Sequence, residues 1–210
     1  MIKIKNHPFI FESVQTLLPT EAGDFLVSAF GYEQNCNHLI LIYGEVTPHD
    51  IPIVRIHSEC ITSEVFGSLK CDCKSQLTES ISIIKSEGKG IIIYLRQEGR
   101  GIGLFNKIEA YKLQELGLDT IEANLELDLP VDKRDYELAY LILKKKSINN
   151  IRLITNNGDK VNQLTSYGLG ITEIINTAKH YNTINDRYIN TKITHLGHKY
   201  LNHDISQFSY

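Results

Sequence analysis

Short apolar runs, bounded by turn residues and separated by stretches of helical spacing, constrain this chain more than any other feature. The longest, "LILIY" and "GIIIYL", have strand length and are far too short to span a bilayer. Runs of this kind place strands near 24–30, 38–43, 52–57, 90–95, 151–155 and 171–175. Between them, Leu77, Ile81 and Ile84 fall on one face of a segment ending at Gly88, and Leu104, Ile108, Tyr111 and Glu115 on one face of another ending at Gly117. A third helix, "DYELAYLILKKK", repeats Tyr136, Ala139, Tyr140 and Leu143 and gathers lysines in its last turn, where the helix dipole favours them. Strand and helix alternate through most of the length. The expectation is an α/β fold, a layered mixed β-sheet with flanking helices, in a single domain spanning 1–210. The last forty residues are polar, rich in Asn, Thr and His, and read as a mobile tail that folds over something.

The thiols are unevenly placed. Three of the four cysteines, Cys60, Cys71 and Cys73, lie within "HSECITSEVFGSLKCDC". The N-terminus lacks the apolar core and small-residue cleavage site of a signal peptide, so the expected location is cytoplasmic, where thiols stay reduced. Metal binding or catalysis then explains the cluster better than disulfides. Thiolates are soft ligands for Zn2+, and two cysteines one residue apart can share one ion if the chain bends. A fourth ligand would come from His57, from Cys36 or from water. Cys36, in "EQNCNHL" before a strand, reads as a buried inert thiol. The stretch also shares H-x-E with the zinc nucleobase deaminases, although C-x-C stands where they have P-C-x-x-C.

Three further stretches could meet a ligand. In "RQEGRGIGLFNK", three glycines interleave with Arg96 and Arg100 before a helix, a setting for anion binding that matches neither the dinucleotide nor the P-loop spacing. "LITNNGDKVNQL" puts Thr155 at a strand end and Lys160 at a helix start. "VDKRDYEL" puts Asp132 and Arg134 just before a helix that Asp135 could cap, and spacing alone favours solvated charges there. The net charge of -3 and the lack of a polybasic block argue against nucleic-acid or membrane partners.

The ordered set "RIHSEC", "SLKCDC", "RQEGRGIGL", "LGLDTIEAN", "DKRDY" and "LITNN" closely resembles the GTP cyclohydrolase II family of riboflavin biosynthesis, over about residues 24–200. The resemblance implies a stand-alone form, a homodimer, and GTP as substrate. It implies a catalytic zinc on Cys60, Cys71 and Cys73 with water in the fourth position, and Mg2+ at the nucleotide phosphates. His57 then joins Arg55, Ile56, Ser58 and Glu59 as a GTP-binding segment, with Gln76, Glu98, Gly99, Arg100, Thr120, Thr155 and Lys160 as further contacts. Asp132 is implied as proton acceptor, Arg134 as the nucleophile that attacks the α-phosphorus, and Tyr111 as a catalytic residue near the reacting ring. The implied products are pyrophosphate, formate and a diaminopyrimidine ribotide, with water activated on zinc attacking C8 of the purine. Two alternatives remain: a paralogue on the same fold that retains the formyl group or serves another pathway, and a catalytically silent nucleotide- or zinc-binding protein. The chain departs from the common family pattern at "CITSE" (for "CLTGD"), Lys70, Lys74 and Gly158, positions expected to touch none of the ligand residues.

Overall fold

A computed structural model of the chain describes residues 10–32 and 35–200, without the side chains of residues 35, 36, 195 and 196. The reading of Cys36 as a buried thiol therefore lies outside the described residues. The strands are β1 (Ile10–Glu12), β2 (Thr16–Thr20), β3 (Gly23–Tyr32), β4 (Asn35–Tyr43), β5 (Ile53–Ser58), β6 (Gly90–Leu95), β7 (Asn150–Ile154) and β8 (Gly170–Ile175). They form one mixed sheet in the order β1-β3-β4-β6-β5-β7-β8, with β2 pairing on β3 beside β1. β6, β5, β7 and β8 run parallel, whereas β4 and the strands beyond it join antiparallel.

The helices are α1 (Ile61–Glu64), α2 (Cys73–Glu87), α3 (Gly103–Glu115), α4 (Thr120–Glu126), α5 (Glu137–Lys145), α6 (Gly158–Ser166) and α7 (Asp186–Leu196). Successive side chains of a strand point to opposite faces, so the central strands fill two cores. Val54, Ile56, Ile91 and Ile93 join Ala139, Ile142 and Leu143 of α5 and Leu164 of α6 in one core. Ile53, Ile92 and Ile154 meet Ile84 of α2 in the other, with Leu77 and Ile81 packed against it. The result is a three-layer α/β arrangement. No helix among the described residues is long and apolar enough to cross a membrane.

The expected face of α3 is not its buried one. Leu104 and Ile108 are exposed, and Lys107 and Ala110 are buried instead, because this helix covers the cavity beside the cysteines rather than the sheet. The described part of the polar C-terminal stretch folds over the sheet edge, and residues 201–210 lie outside the described residues. Residues 186–196 form α7, whose buried side includes Ile189, Thr191 and Lys192.

Candidate functional site

In a parallel sheet the carboxyl ends of neighbouring strands open onto one crevice. Here the ends of β5, β6 and β7 deliver Glu59–Cys60, the Gln97–Gly101 turn and the Thr155–Lys160 stretch to the same edge. A cavity at that edge is lined by Ser58, Glu59, the three cysteines, Glu98, Gly99, Arg100, Tyr111, Thr120 and Arg134. Lys70, Lys107, Asn124 and Tyr188 complete much of its wall. The structure thus brings together eleven of the residues singled out from sequence.

The three thiol sulfurs all lie within 4.8 Å of one another, and those of Cys60 and Cys71 are 3.6 Å apart. A tetrahedral zinc with bonds of about 2.3 Å spaces its sulfurs about 3.8 Å apart, so this triad lies within about an ångström of the spacing such an ion needs. Cys60 caps α1, and Cys73 opens α2. Asp72 between the two later cysteines takes φ -103° and ψ 12°, the bend that a C-x-C pair needs. The Lys107 ammonium stands 3.2 Å from the Cys60 sulfur. Sharing with Cys71 and Cys73, aided by Lys107, holds the Cys60 thiol far below its ordinary range, and the same sharing pushes the other two up.

Beneath the cysteines lies a buried polar layer. Arg55 donates to Gln76 Oε1 at 3.0 Å and to the Ile154 carbonyl at 3.3 Å. Gln76 in turn donates to Asp72 at 2.6 Å. His57 donates from Nε2 to Glu64 at 2.8 Å, and the other Glu64 oxygen accepts from the Tyr94 hydroxyl at 2.6 Å. His57 is not a ligand of the thiol cluster. Its partner Glu64 also accepts from the Cys60 N–H at 2.9 Å, so the "CITSE" departure does touch the site, contrary to the expectation from sequence. Lys70 likewise enters it, with its ammonium 4.8 Å from the centre of the Tyr111 ring.

The glycine-arginine turn is strained as well as permissive. Gly99 and Arg100 are both left-handed, with φ 61° and 58°, which a side chain rarely adopts. Glu98 steadies it by accepting from the Ile61 and Gly99 N–H groups and from Lys107, each at 2.7 Å. Both terminal nitrogens of Arg100 are buried without a hydrogen-bond partner, and its guanidinium lies 5.5 Å from the Tyr188 ring centre. The Lys133 N–H donates to the Arg100 carbonyl at 2.9 Å and draws the "DKRD" loop against this turn. There Arg134 donates to both oxygens of Asp132, an ion pair rather than the solvated charges that spacing alone suggests. Burial acts to raise Asp132, but Arg134 outweighs it and holds the carboxyl low.

Ile56, Thr155 and Lys160 sit behind the cavity wall. Lys160 is buried, donates to the Ile56 carbonyl at 2.6 Å and lies 5.0 Å from the Tyr136 ring centre. Burial, reinforced by Arg55 and Arg134, pushes its pKa well down. Thr155 accepts from the Asn157 N–H at 3.1 Å. Sequence reasoning missed Lys107, Asp72, Tyr188 and Lys192. The first lay on a helix read by its apolar residues, and the last two fell in the polar stretch left without an assigned element.

The sequence pattern of GTP cyclohydrolase II matches residues 12–176. The chain belongs to that family. A GTP cyclohydrolase-2 of Picrophilus torridus is 47% identical over 86% of this chain and 94% of its own length. One from Neisseria gonorrhoeae is 46% identical over 86% and 92%. A riboflavin biosynthesis protein RibBA of Bacillus cytotoxicus is 46% identical over 90% of this chain, which spans about half of that relative, 48% of its length.

Proposed function

We propose that this protein hydrolyses GTP to pyrophosphate, formate and a diaminopyrimidine ribotide, as a zinc-dependent GTP cyclohydrolase II in riboflavin biosynthesis. The carrying observation is that three converging thiols and the unpartnered Arg100 guanidinium line one cavity. A buried guanidinium without an acceptor favours an anionic ligand, and phosphate oxygens match its geometry. Arg100 and Arg134 line the cavity and supply positive charge for a triphosphate, with Mg2+ as its companion, while Lys160 braces the wall behind them.

The chemical roles follow from placement. Arg134 forms a bond to the α-phosphorus as the bond to pyrophosphate breaks, the guanidinium proton passes to Asp132, to which Arg134 already donates, and water later cleaves the Arg134–phosphorus bond, freeing the ribotide 5'-phosphate as the arginine regains its proton. That pairing keeps the resting arginine protonated, so the transfer belongs to the substrate-bound state. Cys60, Cys71 and Cys73 would hold the zinc, which when bound would supply Lewis-acid activation of water for ring opening and deformylation. Lys107 offsets thiolate charge beside Cys60, and Tyr111 presents its ring to the same cavity. Ser58, Glu59, Gly99 and Thr120 shape the nucleotide site, while Arg55, Ile56, His57, Gln76, Glu98 and Thr155 support it from the buried layer and the turn.

We further propose a cytoplasmic homodimer. Val65 and Phe66 are 69% and 77% exposed beside α1, and Phe105 on α3 is 76% exposed. The two segments are joined by the hydrogen bond from Lys107 to Thr62, and large exposed apolar side chains of this kind favour association. The deciding experiment incubates zinc-loaded protein with GTP and Mg2+ and quantifies products. One formate and one pyrophosphate per GTP is expected. Pyrophosphate without formate would select the paralogue, and neither product would leave a nucleotide-binding protein.

A further inference from the structure

The bend at Cys71-Asp72-Cys73 is pinned from far along the chain. Asp72 is 2% exposed, and a carboxylate so buried needs partners. Lys192 of α7 gives it a salt bridge of 2.6 Å, itself buried. The Tyr200 hydroxyl reaches its other oxygen at 3.4 Å, and Asn182 donates to the Leu69 carbonyl at 3.3 Å. Three residues of the C-terminal segment therefore grip the loop that carries two of the three thiols. Tyr188, one turn before Lys192, lines the cavity itself, with the Lys192 ammonium 4.6 Å from its ring centre.

We infer that α7 is part of the catalytic unit and that Lys192 is a positioning residue, which fixes the Asp72 carboxylate and so sets the Cys71 and Cys73 sulfurs at metal-binding spacing. The inference rests on the reading of Cys60, Cys71 and Cys73 as a metal site. A short C-x-C stretch has no sequence-local reason to hold both sulfurs on one side, and Gln76 is the only other side chain bonded to Asp72 among the described contacts. Residues that orient ligands from behind commonly alter metal affinity about 10- to 100-fold.

The test uses full-length protein and Co2+ in place of zinc, read by the thiolate-to-cobalt absorption band and by competition with a chromophoric chelator. Lys192→Met is expected to weaken Co2+ about 10- to 100-fold and to shift the visible band, while Lys192→Arg stays nearer the parent. Removing one partner of a buried pair can itself unfold a protein. The double variant Lys192→Met/Asp72→Asn removes that charge, and it is expected to melt close to the parent yet still bind Co2+ weakly. Parent-like affinity and spectrum in the double variant would overturn the inference. The metal reading fails separately: the parent would then show no thiolate–cobalt band, or Cys71→Ser would leave the band unchanged.

Discussion

The Lys107 ammonium sits 3.2 Å from the Cys60 sulfur and is held there by Glu98 at 2.7 Å. It is a fixed positive charge beside a group that must lose a proton to bind metal. Metal binding at a thiol competes with protons, so removal of this charge should hurt most at low pH. Lys107→Met is expected to weaken Co2+ roughly tenfold at about pH 6.5 and much less at about pH 8.5. Chelator competition at both values checks it. An equal loss at both would assign Lys107 to packing alone.

Gly101 tests the join between the two loops. Its φ is +88°, and a Cβ there would lie 3.0 Å from the Lys133 carbonyl carbon and oxygen. Gly101→Ala should therefore push the "DKRD" loop away and misplace Arg134. Pyrophosphate release is expected to fall about 100-fold, the scale of an ångström-sized misplacement. Gly103→Ala shares the positive φ, at 86°, but meets nothing within 4 Å. It should lose stability, about 1–2 kcal/mol, with far less effect on rate.

Gly158 opens α6 behind Asn157, whose side chain accepts from the Asp159 and Lys160 N–H groups and leaves the Gly158 N–H unused. Asn157 is extended, at φ -97° and ψ 111°, as a residue before proline must be. A Cβ at 158 meets nothing within 4 Å. Gly158→Pro should stabilise by about 0.4–1 kcal/mol through the unfolded chain, raising Tm by roughly 1–4 °C. A thermal melt decides it, and a lower Tm would mean that the local backbone cannot accept the ring.

His198 should make stability fall in mild acid. Burial, reinforced by the positive charges of Lys192, Arg134, Arg100 and Lys160, lowers its pKa from 6.5 to about 2. The unfolded chain takes up a proton first as pH drops below 6.5, so stability is full above that value and declines toward the folded pKa. At about pH 5.5 the loss is about 1.4 kcal/mol, or roughly 3–5 °C in Tm. His198→Gln has no such proton and should show that much less decline between about pH 7.5 and 5.5.

The central strands were legible because Ile91, Ile92 and Ile93, or Val54 and Ile56, are buried on both faces and leave unbroken apolar runs. β2 has no such mark: all five of its residues, Pro19 included, are exposed on an edge. α4 carried a readable signal, since Asp119 and Glu122 form a reciprocal capping box, but no apolar stripe drew attention to it. α7 was opaque for a deeper reason. Its partners are Asp72 and the cavity, so its inward face carries Tyr188, Thr191 and Lys192 beside a single buried aliphatic residue, Ile189, and shows no apolar stripe. The thiol cluster was visible as a pattern, yet nothing near it in sequence reveals that its bend is held by side chains more than a hundred positions later.

The distance between Asp72 and Lys192, 120 positions along the chain, has a consequence for how the protein is made. Ribosomes add about 5–20 residues per second, so all three thiols are synthesised roughly 6–24 s before the lysine that grips their loop. During that interval the nascent cysteines have no clamp and are open to stray metals and oxidants. If Lys192 sets the thiol spacing, selective loading with the right ion would be a late event, coupled to the docking of the final helix.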